Sequence, residues 1–192
     1  MTFYIMKGFP QELIDELKQI WEENDWIKEV EAAKGKMWHH RLRFDHPVFK
    51  KFPSAIGSIE FYSNPPFSSC GPHLDRGRWS ALNIPIIVDT EQSCFFTGKS
   101  HILSIYTNKG EHGYGHDVEN EKGPHGFFIE EKEKFDYYNL EYPVLFSTKT
   151  PHGFQNRADT QRVLCSVTFP NHTIEQMVHM FPYEWFANPL ED

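Results

Sequence analysis

The sequence predicts a mainly β fold, a sandwich or barrel with helices flanking it at both ends. Three observations point there. Between residues 37 and 169, short apolar or alternating runs recur in series, separated by clusters of Asn, Pro, Gly and Asp. One strongly amphipathic helix pattern precedes these runs, and a shorter one follows them. Phe, Trp and Tyr together make up 16% of the residues, so the core of a small domain is expected to be aromatic.

At 192 residues the chain is long enough for a sizeable core and short for two domains. A single domain is expected, divided into a helical cover (1–36), a β core (37–169) and a C-terminal helix and tail (170–192). The first helix spans 10–24: Leu13, Ile14, Leu17, Ile20 and Trp21 repeat at helical spacing, acidic residues fill the other face, and Pro10 suits the first turn. Trp26, Ile27 and Val30 continue the pattern after a break near Asn24. Residues 34–46 interleave Lys34, Lys36, Arg41 and Arg43 with Trp38 and Phe44. They read as a strand with a solvated face, the alternative being a surface for a nucleotide or acidic peptide.

Residues 58–63 form a strand closed by the turn signal Asn64-Pro65-Pro66. The run 79–87 is an increasingly apolar strand, followed by short strands at 93–98 and 101–107. Residues 108–126 are rich in Gly, Asn and charge and read as a surface loop or active-site lid; without a helix, His112 and His116 are not aimed together. Residues 127–140 form a strand or hairpin, and 142–148 a compact apolar strand. Asn156 to Thr160 has hairpin-turn chemistry. Ile174, Met177, Val178 and Phe181 place a short helix within 171–181.

A formal charge of −8 disfavours binding driven by phosphate neutralisation, although the basic patch at 34–43 leaves nucleic acid open. Cys70, Cys94 and Cys165 show no CxxC spacing and cannot all pair within the chain, so reduced thiols in a cytoplasmic protein are expected. No secretory leader and no membrane-spanning run is expected at the N-terminus.

The chemistry concentrates after residue 71. His73 and Asp75 stand two apart, so in an extended backbone both side chains leave one face and can meet one small cation. A further histidine would complete a 2-His-1-carboxylate set with open coordination positions, suited to a divalent transition metal. His152, just after the 142–148 strand, is the candidate. If 156–160 closes a hairpin, His152 and Arg162 share a face of neighbouring strands, their backbones about 7 to 9 Å apart. That separation suits a short dicarboxylate chelating the metal at one end and pairing with the guanidinium at the other. A solvated hairpin with both side chains in water is the alternative. Arg76, Arg78 and Trp79 stand near enough to line the mouth of such a site or to make surface salt bridges.

His73-Leu74-Asp75, a distant His152 and Arg162 ten residues later resemble the HxD…H…R pattern of the iron(II)/2-oxoglutarate-dependent oxygenases. The PHGFQN segment followed by an arginine strand is similar to the prolyl and aspartyl hydroxylase-like branches. The resemblance covers roughly residues 61–169. It implies a double-stranded β-helix (jelly-roll, cupin-like) in which His73, Asp75 and His152 bind iron(II) and Arg162 binds the distal carboxylate of 2-oxoglutarate. Tyr62, Asn64 and Asn83 are candidates for a second contact to 2-oxoglutarate. An Arg-x-Ser pairing found in some branches is absent, because Leu164 stands in that place. The activity implied is consumption of dioxygen and 2-oxoglutarate to hydroxylate a C–H bond of a protein residue or small molecule, with release of succinate and carbon dioxide. The rival readings are a cupin-like isomerase or dioxygenase that uses no keto acid, and a non-catalytic domain that binds a ligand or partner.

Overall fold

The computed structural model describes residues 3–24, 26–33, 36–73, 75, 77–98, 105–107, 127–129 and 135–186. In chain order its first strands are β1 (Phe3–Ile5), β2 (Trp38–Arg41), β3 (Ser58–Asn64), β4 (Ser69–His73), β5 (Ser80–Ile87) and β6 (Ser93–Gly98). They are followed by β7 (Ile105–Thr107), β8 (Phe127–Ile129), β9 (Phe135–Asn139), β10 (Val144–Ser147), β11 (His152–Asn156) and β12 (Arg162–Phe169). The α-helices are α1 (Gln11–Glu23), α2 (Ile27–Ala32) and α3 (Ile174–Val178). Six strands make a large antiparallel sheet in the order β1-β10-β5-β12-β3-β2, and four make a smaller one, β4-β11-β6-β9. β7 and β8 pair with each other. This is the mainly β jelly-roll architecture expected from the sequence.

Alternation along the large sheet divides its residues between two cores. Ile59 and Phe61 of β3, Leu82 and Ile84 of β5, and Val163, Cys165 and Val167 of β12 pack in one cluster with Leu13, Leu17, Ile20 and Trp21 of α1. Trp26 closes this layer, its ring centroid 5.6 Å from that of Trp21 and 5.3 Å from that of Phe61. Between the sheets a smaller cluster gathers Ala81, Phe95, Leu140, Val144, Phe146 and Leu164. β12 is buried at all eight positions because the helices cover one face and the small sheet the other. At the C-terminus a capping box starts α3, with Thr173 Oγ1 accepting from Gln176 N and Gln176 Oε1 accepting from Thr173 N.

Two sequence expectations are corrected. Phe3–Ile5, assigned to the helical cover, is a strand paired with β10; three residues carry too little periodicity to read. Within the basic and aromatic run at 34–46, β2 has the solvated face expected of it: His39 and Arg41 are exposed and contact Glu60 (3.0 and 2.6 Å), while Trp38 and His40 pack beside Trp26.

The second correction concerns the turn after Asn156. β11 pairs with β4 and β6, whereas β12 pairs with β3 and β5, so residues 157–161 cross between sheets instead of closing a hairpin. Asn156 secures the crossing. Its Oδ1 accepts from Ser93 Oγ (2.8 Å) and Ala158 N (3.3 Å), and its Nδ2 donates to Thr160 O (2.9 Å) and Pro65 O (3.2 Å). A local turn signal cannot tell such a crossing from a hairpin. The expected loop at 108–126, with His112 and His116, lies outside the described residues, as does Arg76. No helix among the described residues is long and apolar enough to cross a membrane.

Candidate metal centre

His73 ends β4 and His152 begins β11, and the two are direct partners in the antiparallel register. Their ring centroids lie 4.4 Å apart. Asp75 follows beyond the end of β4, its backbone held on both sides: its N–H donates to Thr148 O (3.2 Å), and its carbonyl accepts from Lys149 Nζ (3.0 Å). One ligand atom from each of His73, Asp75 and His152 lies within 4.8 Å of the other two. Asp75 Oδ1 is 3.6 Å from His73 Nε2, and Oδ2 is 3.4 Å from His152 Nε2. His152 Nδ1 lies 2.9 Å from the Thr150 carbonyl. A carbonyl can only accept, so Nδ1 carries a proton and Nε2 is the ring atom that faces Asp75.

Asp75 is 3% exposed. Burial acts to raise its carboxyl, but His152, Arg78 and His73 outweigh that cost and hold it well below the usual carboxylate range. Arg78 places Nε and Nη2 each 2.6 Å from Oδ2, and it is itself pushed upward by Asp75 despite its burial. The triad opens into a cavity of about 240 Å³ between the sheets, lined also by Arg162, Tyr62, Asn64 and Asn83. The structure thus brings His73, Asp75, His152, Arg162, Tyr62, Asn64 and Asn83 to one cavity.

Arg162 enters that cavity by a route the sequence did not indicate. It lies on the large sheet opposite Asn64, while His152 lies on the small one, so the two approach across the sandwich rather than side by side. Arg162 is 2% exposed, with its guanidinium carbon 4.1 Å from the Phe154 ring centroid. Among the described residues no carboxylate pairs with it, and Arg162 Nε and Asn64 Nδ2 are both buried donors without a hydrogen-bond partner. Burial pushes the guanidinium down to about 9, an effect that the nearby Cys70 and Cys94 oppose. Unmet buried donors are rare, because each carries the full cost of its lost hydration.

Of the residues expected near the mouth, Arg78 makes a buried ion pair with the Asp75 carboxylate, while neighbouring Trp79 remains half-exposed with Lys149 Nζ 5.6 Å from its ring centroid; one contributor, Glu60, was not anticipated from the sequence. Glu60 is buried on β3 and accepts the Tyr62 phenol at 2.6 Å. A lone carboxylate within the strand run at 58–63 was the available signal for it. None of the three cysteines is in a disulfide. Cys70 Sγ lies 3.4 Å from His73 Nδ1.

No protein-family model matches the chain, and none of the curated proteins compared with it matches. Solved structures do match in fold. The epimerase SnoN, in complex with Fe3+, alpha ketoglutarate and nogalamycin RO, aligns over 87% of this chain and 78% of its own, with 11% identity and a TM-score of 0.55. HygX from Streptomyces hygroscopicus, with nickel and 2-oxoglutarate bound, aligns over 88% and 83%, with 12% identity and a TM-score of 0.52. A Pseudomonas putida prolyl-4-hydroxylase aligns over 89% and 93%, with 12% identity and a TM-score of 0.50. At these identities the shared property is the fold, a double-stranded β-helix of the kind used by the 2-oxoglutarate-dependent enzymes that the sequence resembles.

Proposed function

We propose that the chain is an iron(II)- and 2-oxoglutarate-dependent oxygenase that hydroxylates a C–H bond of a small molecule or protein residue, releasing succinate and carbon dioxide. The observation that carries this reading is Arg162: a buried guanidinium with an orphaned Nε, in the same cavity as a His-Asp-His cluster. Two neutral imidazoles and one carboxylate suit a divalent iron and leave positions for other ligands. His73, Asp75 and His152 would hold the metal. Arg162 would take the distal carboxylate of 2-oxoglutarate, supported by Asn64 Nδ2, with Tyr62 and Asn83 as further contacts along the slot.

Iron with 2-oxoglutarate and dioxygen supplies the oxidising chemistry, coupled to oxidative decarboxylation of the keto acid. The chain supplies orientation. His152, fixed by the Thr150 carbonyl, and Asp75, fixed by Thr148, Lys149 and Arg78, preset the ligand geometry. The apolar walls formed by Phe95, Phe146 and Leu164 limit water on the inner side. A cupin-like enzyme without a keto acid, or a non-catalytic domain, would leave Arg162 buried without a use.

The test is an anaerobic titration of metal-free protein with iron(II) and then 2-oxoglutarate, monitored for a visible metal-to-ligand charge-transfer band. The band is expected in the wild type, absent in His152→Ala, and shifted to much higher keto acid concentration in Arg162→Ala. Iron binding without a band would sink the 2-oxoglutarate reading.

A further inference from the structure

A guanidinium that merely neutralises a buried carboxylate tends to spread its fork over both oxygens. Arg78 does not: Nε and Nη2 both contact Oδ2 of Asp75, at 2.6 Å each. Oδ2 also faces His152 Nε2 at 3.4 Å, whereas Oδ1 faces His73 and, among the described residues, accepts no N–H or O–H donor. A cation chelated by both oxygens would have to share Oδ2 with a positive charge already seated there.

We propose that Arg78 is a positioning residue that fixes Asp75 as a one-oxygen metal ligand through Oδ1. This rests on the reading of His73, Asp75 and His152 as a metal centre. The guanidinium is held in place from behind. Its backbone carbonyl accepts from Thr148 Oγ1 (2.6 Å), and the next carbonyl, that of Trp79, accepts from Thr148 N (3.1 Å). Tyr62 lines the same cavity as Arg78 and donates to Glu60 Oε2 (2.6 Å).

The experiment loads the metal-free full-length chain with cobalt(II), whose visible d–d absorption reports coordination number and geometry. The wild type and the Arg78→Ala and Arg78→Lys variants are compared, with circular dichroism melts verifying that each is folded. With Arg78→Ala, Oδ2 is released to the metal: the d–d band changes in position and intensity, and cobalt affinity falls about tenfold, as for other lost outer-shell partners. Lysine keeps the charge but has one nitrogen and cannot place two donors on Oδ2, so Arg78→Lys falls between.

A folded Arg78→Ala with a wild-type cobalt spectrum overturns the proposal and leaves the metal centre standing. Should Arg78→Ala fail to fold, Arg78→Lys decides, and a wild-type spectrum there overturns it equally. Cobalt binding that is absent in the wild type, or unchanged by Asp75→Ala, overturns the metal-centre reading and this proposal with it.

Discussion

Replacing Arg162 by methionine should make the protein more stable and less able to hold 2-oxoglutarate. The side chain is 2% exposed, its Nε has no partner, and burial pushes the guanidinium down to about 9. At about 1.36 kcal/mol per tenfold change in ionisation, that corresponds to roughly 5 kcal/mol of unfavourable burial for the charged form. Exchanging buried charge for well-packed apolar side chains typically recovers about 1–4 kcal/mol after relaxation. We therefore expect Arg162→Met, free of metal and keto acid, to gain about 2 kcal/mol, a rise in Tm of roughly 4–8 °C for a chain of this length.

The sign of the pH dependence follows from a folded value below the unfolded one. The wild type carries the whole cost below about pH 9 and sheds it as pH rises above about 9, so the two melting curves should converge on the alkaline side. With manganese(II) bound, 2-oxoglutarate at 100 times its Kd should stabilise the wild type by about 2.7 kcal/mol and leave the variant almost unmoved. Differential scanning fluorimetry at pH 7 and pH 9.5 reads all of these quantities. A methionine variant that melts below the wild type in the absence of 2-oxoglutarate would refute the reasoning, because it would mean the guanidinium is already satisfied by the protein.

Two further outcomes test the scaffold. Burial acts to raise the Glu60 carboxyl, but hydrogen bonds with His39, Tyr62, Ser58 and Arg41 hold it well below the usual range. Its stabilisation is present above the unfolded value near about 4.3 and is lost as pH falls below it, so Glu60→Gln should cost about 2 kcal/mol at pH 7 and flatten the acid limb of a urea-melt pH series. An acid limb as steep as the wild type's would place the acid sensitivity elsewhere. At Gly8, an added Cβ would overlap the Glu184 carbonyl, and the Gly8 N–H donates to Trp185 O at 3.2 Å. Gly8→Ala should cost about 1–3 kcal/mol in thermal melts, and an unchanged Tm would show that this C-terminal contact is not seated.

The part of this molecule that could be read from sequence is the part written in local periodicity. α1 was legible because Leu13, Leu17, Ile20 and Trp21 fall on one helical face, and β3, β5 and β12 because their apolar runs are long enough to alternate. His73 and Asp75 were legible because they are two apart on one segment. The relation between His152 and Arg162 was not, since it depends on which sheet each strand joins, and that is decided by partners 63 to 98 residues away in sequence: Ser93 and Pro65 on Asn156, and Asn64 beside Arg162. Arg162 nevertheless reaches the same cavity, and the reason lies in how the core is divided. With the helices burying the odd-numbered residues of β12, the even-numbered ones, Arg162, Leu164, Ser166 and Thr168, must face the small sheet. A one-residue slip of β12 would put Val163 and Cys165 in the cavity and drive the guanidinium into the helix-covered core. The hydrophobic register that stabilises the outer layer is thus the same constraint that aims Arg162 at the cavity shared with His73, Asp75 and His152, so slipping one would dismantle the other.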